Sequence, residues 1–284
     1  MRILVFGRTG QVAGELQRRC PDGWRMIALG RDEADLIQPE RCARAVLDHE
    51  ADAVINAAAY TDVDRAEDEE AIANLVNGEA PAAMAAAATM KGIPFLHVSS
   101  DYVFDGSGSD AWRPDDATGP LGAYGRSKLL GEQGVRAAGG SYAILRTSWV
   151  FSAQGRNFVK TMLRLGETRD SIRVVSDQVG GPTPAADIAT ALLRIAAALH
   201  AGVGQTGTYH FSGAPDVSWA DFARLIFERA NMKVKVEDID SAGYPTKARR
   251  PANSRLDCHS LKLKHGIDRP DWRSGLDDVL GEIV

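Results

Sequence analysis

A tyrosine and a lysine stand four positions apart at Tyr124 and Lys128, a spacing that puts both on one face of a helix. A phenol ordinarily keeps its proton up to a pKa of about 10, and a neighbouring ammonium favours the phenolate, so the pair forms a unit able to hand over a proton. Upstream, an apolar run ends in Ser99-Ser100-Asp101-Tyr102. A hydroxyl there, Ser100, can hydrogen-bond a carbonyl oxygen on which negative charge develops as hydride arrives. Near the start of the chain, Gly7-Arg8-Thr9-Gly10-Gln11-Val12-Ala13 joins an apolar run to a helical one. Glycines let the backbone approach a pyrophosphate, and a helix N-terminus meets it with unpaired N–H groups and a partial positive charge. The spacing Gly-x-x-Gly-x-x-Ala misses the GxGxxG fingerprint, and alone it equally describes a turn before a helix cap. A Tyr-x-x-x-Lys pair is also common on its own, as an interfacial tyrosine beside a surface lysine. The order of the three features is what points to nucleotide-dependent hydride transfer, because each falls at the carboxyl end of a strand or at the start of the following helix.

These groups need a scaffold, and the apolar patterning supplies one. Ile3 to Phe6, Trp24 to Leu29, Ala53 to Ile55, Phe95 to Val98 and Tyr142 to Leu145 read as strands apolar on both faces, separated by helix-length segments. That alternation predicts an α/β fold, a doubly wound parallel sheet of the NAD(P)-binding Rossmann type. Ala80 to Ala88 reads as an Ala-rich helix, and two more are predicted over Asp187 to His200 and over Trp219 to Arg229, the latter capped by Ser218. The second half carries Gly180, Gly181, Pro182, Pro184, Pro245 and Pro251, a loop-rich composition suited to a smaller C-terminal substrate-binding lobe. The expected division is a dinucleotide-binding domain over 1–150, rejoined by a segment near 175–212, with 151–284 mostly the substrate lobe. The second strand closes at Leu29-Gly30-Arg31-Asp32. An acid here would hold the ribose of NAD and an arginine would accept the 2′-phosphate of NADP. Gly30 and Arg31 favour NADPH, Asp32 keeps NADH open, and Asp35 with Leu36 would border the adenine.

Composition closes off other classes. At 284 residues, 44% hydrophobic and 25% charged, the chain is neither disordered nor fibrous. Its net charge of -5 leaves no basic surplus for a nucleic-acid backbone, so no nucleic-acid partner is expected. Cys20, Cys42 and Cys258 are far apart with no CxxC pair, which suggests neither a disulfide framework nor a metal site. Met1 to Phe6 is too short for a signal-peptide core and no run reaches the roughly 18 apolar residues of a membrane span. The expected location is the cytoplasm, away from membranes.

Further stretches carry a more specific likeness. They are Asn56-Ala57-Ala58-Ala59-Tyr60-Thr61 with Val63-Asp64 and Ala66-Glu67, Ser100 to Phe104, Tyr124 to Lys128, and Arg146-Thr147-Ser148-Trp149-Val150. Asn157-Phe158 with Thr161-Met162-Leu163, Asp177-Gln178 with Gly180 and Pro182-Thr183, Ala248 to Pro251, and Asn253-Ser254 complete the set. Over nearly its whole length the chain resembles the extended short-chain dehydrogenases/reductases, and among them the dTDP-4-dehydrorhamnose reductase family. The resemblance implies that NADPH gives hydride to C4 of a nucleotide-linked keto sugar while Tyr124 protonates the new alkoxide, assisted by Lys128 and Ser100. It implies cofactor contacts from Gly7, Thr9, Gly10, Gln11, Val12, Ala57, Ala58, Ala59, Tyr124 and Lys128, beside Arg31, Asp35 and Leu36. It implies a substrate lining of Thr61, Val63, Ser100, Asp101, Tyr102, Trp149, Asn157, Gln178, Arg249 and Asn253, with Arg249 meeting the diphosphate.

Two positions depart from the pattern. Ala13 replaces the third loop glycine. Some family members form a magnesium-bridged homodimer through acidic residues; Glu15 matches, but the second acid falls at Ala186, with Asp187 one place away, so the resemblance does not carry a metal over and leaves a homodimer open. Two alternatives stand beside the reductase: a non-catalytic NADP-binding regulatory subunit, since a relative serves methionine adenosyltransferase in that way, and a reductase, epimerase or dehydratase of another nucleotide sugar. Dehydratases resemble Thr-Asp-Glu after the fourth strand, and here Tyr102 occupies the Glu place.

Overall fold

A strand apolar on both faces is stable only between two layers, and the chain supplies both. In the computed structural model, which describes residues 1–283, the first half runs β1 (Arg2–Phe6), α1 (Gln11–Arg18), β2 (Arg25–Leu29), α2 (Pro39–Asp48), β3 (Ala53–Asn56), α3 (Glu70–Asn74), α4 (Ala80–Met90), β4 (Phe95–Ser100), α5 (Ala123–Ala138) and β5 (Tyr142–Thr147). The second half runs β6 (Val150–Phe151), α6 (Phe158–Gly166), β7 (Ser171–Val175), β8 (Val179–Gly180), β9 (Thr183–Pro184), α7 (Ala185–His200), β10 (Gly207–His210), β11 (Val217–Ser218), α8 (Trp219–Arg229), β12 (Lys235–Ile239), β13 (Asn253–Ser254), α9 (His259–His265) and α10 (Trp272–Ile283).

Six strands form one parallel sheet in the order β10-β5-β4-β3-β1-β2. One apolar layer packs α1 and α7 against one face through Val12, Leu16, Ile188 and Leu192, and a second packs α2 and α4 against the other through Cys42, Val46 and Met84. Every residue of β3 is buried, as a strand covered on both sides requires. This is the doubly wound α/β arrangement. A third core, built from Phe151, Val159, Phe222, Phe227, Trp272 and Leu276, gathers α6, α8 and α10. The chain order reverses between β1 and β3, which opens a crevice at the carboxyl ends of the strands where such sheets bind their ligands.

Candidate active site

A single cleft of about 1260 Å³ follows that crevice from the glycine loop to the third core. At one end Gly7 adopts φ +111°, a conformation that L side chains rarely take. A Cβ there would lie 3.3 Å from the Ala13 methyl and 3.4 Å from the Ala57 carbonyl carbon. The missing side chain of Gly7 is therefore what makes room for Ala13, which is fully buried in the place of a third glycine. Gly10 caps α1 without a side-chain hydrogen bond, leaving the first N–H groups of the helix open toward the cleft. Thr9, Gln11, Val12, Asp35, Leu36, Ala57, Ala58 and Ala59 complete this end of the lining. An open helix start beside a glycine held at positive φ fits the pyrophosphate of a dinucleotide.

Arg8, between the two glycines, also lines the cleft. Its guanidinium donates to Asp32 at 2.5 Å and to Glu33 at 2.9 Å, and the Arg8 hydrogen bond holds the Asp32 carboxyl below the usual range. Gly30 leaves room for this Arg8–Asp32 pair, since a Cβ there would displace the ends of both side chains. With Asp32 engaged, the exposed Arg31 faces the same end of the cleft.

The proton-handling pair is set by α5. Gly125 and Gly131 let the helix lie directly on other backbone, since a Cβ would strike the Tyr102 carbonyl at the first and the Asn77 carbonyl at the second. Asn77 fixes the contact further, donating 3.0 Å to the Ser127 hydroxyl and 3.0 Å to the Tyr60 carbonyl. Tyr124 and Lys128 then enter the cleft together beside Ser100. Lys128 is 2% exposed and donates to the Val98 carbonyl at 2.6 Å. Burial pushes its ammonium down to about 8, against an upward pull from Glu132. Behind it, Glu132 accepts from Arg146 at 2.7 and 2.8 Å and from Ser99 at 2.7 Å.

Burial pushes the Tyr124 phenol above its ordinary pKa and a hydrogen bond with Ser100 draws it back, while the nearby Asp101 and Tyr102 push it up. Lys128 gives one N–H to the Val98 carbonyl, and the Ser100 hydroxyl donates to Asp101 at 2.9 Å.

At the far end stand Thr61, Val63, Asp101, Tyr102, Trp149 and Asn157. Tyr102 packs edge-on to Tyr124 with centroids 5.3 Å apart. Trp149 holds φ +51°, uncommon for a bulky residue, and stacks on Trp219 with centroids 3.6 Å apart and planes at 12°. Asn157 caps α6 through Lys160 and donates 2.9 Å to Gln11, tying the third core to the glycine-loop helix.

Three expected substrate residues do not line the cleft. Gln178 is buried and donates to Ser241 at 2.9 Å. Asn253 is buried and holds the 107–110 loop through the Ser107 and Asp110 carbonyls. Arg249 is exposed and outside the lining, and its neighbour Arg250 lines the cleft instead, reaching Asp64 at 2.7 Å and the Tyr102 hydroxyl at 3.3 Å. Arg8, Arg250 and Trp219 went unassigned from sequence. Arg8 was visible between the loop glycines. Arg250 sits in an irregular segment where no periodicity separates adjacent positions, and Trp219 reads as one more apolar residue of an amphipathic helix.

The family model described as the RmlD substrate binding domain matches residues 1–284. A dTDP-4-dehydrorhamnose reductase of Burkholderia thailandensis is 46% identical over 285 residues, covering 96% of this chain and 96% of the relative. Among solved structures, a dTDP-4-dehydrorhamnose reductase from Clostridium acetobutylicum superposes with a TM-score of 0.94 at 34% identity, covering 99% of each chain. One from Bacillus anthracis, in complex with NADP, superposes at 0.93 and 33% identity, again covering 99% of each chain.

Proposed function

The chain belongs to the RmlD substrate binding domain family, and from that premise we propose that it catalyses the NADPH-dependent reduction of the 4-keto group of dTDP-4-dehydro-6-deoxy-L-mannose to give dTDP-L-rhamnose. The observation that carries this reading is the convergence of Ser100, Tyr124 and Lys128 on the cleft that begins at the glycine loop. When bound, the reduced nicotinamide supplies the hydride for C4. Gly7, Gly10 and the start of α1 hold the pyrophosphate, and Arg31 meets the 2′-phosphate while Arg8 neutralises Asp32. Lys128, fixed by the Val98 carbonyl, holds the nicotinamide ribose. Tyr124 gives its proton to the alkoxide oxygen that forms at C4, and Ser100 steadies the developing charge through its hydroxyl.

On this reading Arg250 takes the diphosphate role that the resemblance gave to Arg249, being the one of the two that lines the cleft. Residues 1–150 with the segment near 175–212 hold the cofactor, and the rest of 151–284 mostly holds the sugar nucleotide. Tyr102 in the place of a dehydratase glutamate favours reduction over dehydration. No helix among the described residues is long and apolar enough to cross a membrane, and we place the enzyme in the cytoplasm.

The test is NADPH oxidation with dTDP-4-dehydro-6-deoxy-L-mannose beside its GDP analogue, with the product identified. Formation of dTDP-L-rhamnose is expected. Activity with neither sugar would overturn the reading in favour of a non-catalytic NADP-binding subunit.

A further inference from the structure

Thr147 closes β5 and is 4% exposed. Its Oγ1 is buried and has no hydrogen-bond partner among the described residues, although the residues on both sides are paired. Arg146 donates to Glu132 at 2.7 Å, and the Ser148 hydroxyl donates to the Gly181 carbonyl at 3.0 Å. A hydroxyl left unpaired in the interior is destabilising, and a valine would fill the same space without that cost.

The position of this hydroxyl in the sheet narrows what it can meet. In the parallel pair of β4 with β5, Thr147 stands opposite Ser100, so the two side chains share one face of the sheet on strands about 4.8 Å apart. It is the face of Ala143 and Leu145, which pack in the layer that holds α1. Thr147 lines the same cleft as Ser100. Along that cleft the lining steps from strand to strand: Gly30 after β2, Gly7 after β1, Ala57 after β3, Ser100 at the end of β4 and Thr147 at the end of β5. Four strand spacings cover about 19 Å, the reach of an extended dinucleotide. On the reading above, the 2′-phosphate lies by Arg31 at the β2 end, the pyrophosphate by Gly7 and Gly10, and the nicotinamide ribose by Lys128 beside β4. The β5 end is then left for the pyridine ring.

We propose that the Thr147 hydroxyl anchors the carboxamide of the nicotinamide, and so fixes the ring beside Ser100 and Tyr124. The carboxamide is the only hydrogen-bonding substituent on that ring, and a hydroxyl can donate to its carbonyl or accept from its amino group. Oγ1 turns onto the cleft by moving to the next staggered well about Cα–Cβ, roughly 120° away. The unpaired hydroxyl is retained because its partner arrives with the cofactor. The inference rests on the reductase reading of the same cleft and gives a task to a residue which that reading leaves without one.

The experiment compares the native protein with Thr147→Val, which keeps the shape and removes the hydroxyl, and with Thr147→Ser, which keeps the hydroxyl. Titration calorimetry measures the binding of NADPH and of 2′-phospho-ADP-ribose, the same molecule without the nicotinamide. Thr147→Val is expected to bind NADPH ~5- to 10-fold more weakly, the scale of one neutral hydrogen bond, and to bind 2′-phospho-ADP-ribose as the native protein does. Thr147→Ser is expected to recover most of the lost NADPH affinity. Without cofactor, Thr147→Val is expected to unfold in urea at the native midpoint or above it, because it removes an unpaired buried group. Equal weakening of both ligands would overturn the proposal, as would weakening of neither; in the second case a raised KM for the keto sugar would assign the hydroxyl to the sugar instead. A Thr147→Val protein that unfolds sooner, or does not fold, would also overturn it, since the hydroxyl would then be serving the fold. A native protein that binds NADPH but leaves the keto sugar unreduced refutes the parent reading alone, and the binding comparison, which uses no sugar, still judges Thr147.

Discussion

On the proposed mechanism Tyr124 works as an acid through an arrangement that keeps it protonated until a base stronger than phenolate appears. Burial favours the phenol and the Ser100 hydroxyl favours the phenolate, so the proton is retained in the resting cleft and released to an alkoxide, which is far more basic. Removing the hydroxyl removes the donor while leaving the ring packed edge-on to Tyr102. Tyr124→Phe is therefore expected to lose at least ~100-fold in kcat, the lower end of what general acid catalysis contributes. NADPH affinity should be retained, because the phosphate cradle is built from other residues. Stopped-flow turnover and fluorescence titration of cofactor check the two halves, and undiminished turnover would remove Tyr124 from the mechanism. Residue types at this scale were well legible: a phenol, an amine and a hydroxyl in the right order announce proton chemistry without any coordinates. What else Lys128 touches was not legible, because it shares a helix face with Tyr124 and also donates to the Val98 carbonyl, a backbone partner that no spacing rule reveals.

At the scale of elements, the position of α5 decides the site. Its two glycines rest on backbone carbonyls, and its inner face carries Glu132, fully buried against Arg146 of β5. Burial alone would push the Glu132 carboxyl up, but the Arg146, Ser99 and Arg136 contacts outweigh it and hold it below the usual range. A pair of this kind contributes little net stability over apolar packing, yet removal of one partner strands a buried charge. Arg146→Met is thus expected to cost about 3–5 kcal/mol in urea unfolding, and adding Glu132→Leu to it should recover most of the loss. If the single variant proves as stable as the native chain, the pair is not what fixes α5 against β5. Sequence patterning gives no access to this contact, since a glutamate on a helix and an arginine at a strand end each read as solvated charge. The strands β1 to β5 were legible because residues apolar on both faces leave few alternatives. By contrast β7, β10 and β12 were not, being short edge or satellite strands: β7 alternates buried and exposed residues, β10 is buried only at its end and β12 has no buried residue. Gln178 and Asn253 were assigned to the substrate by the family resemblance, and irregular segments have no period by which the sequence could tell an inward side chain from one that ties down a loop.

The molecule as a whole keeps several titratable groups sealed inside it, and their opposing signs predict how stability depends on pH. His97 and His210 are fully buried. Burial holds His97 well below its ordinary pKa, with the nearby Lys128 adding to the effect, and burial with Arg146 lowers His210 to about 3. Each histidine takes up a proton in the unfolded chain near pH 6.5 but refuses it in the folded one, so stability falls as pH drops through that value. Integrated to pH 5, the loss from His210 is roughly 2 kcal/mol, and His97 acts in the same direction. Asp101 acts in the opposite sense, because a carboxyl raised to about 6 is protonated in the folded chain before the unfolded one, and stability gains roughly 1 kcal/mol over the same interval. The net expectation for the cofactor-free protein is a loss of stability between about pH 7.5 and 5, read from urea midpoints at constant m-value. His210→Gln should shrink that loss by roughly 2 kcal/mol, and Asp101→Asn should enlarge it by roughly 1 kcal/mol. Bound NADPH should leave the histidine contributions in place, since both side chains lie outside the cleft lining. A stability profile flat from neutrality to pH 5 would mean that the two imidazoles protonate in the folded state, and with them would go the view of β4 and its neighbours as a dry support for Tyr124 and Lys128.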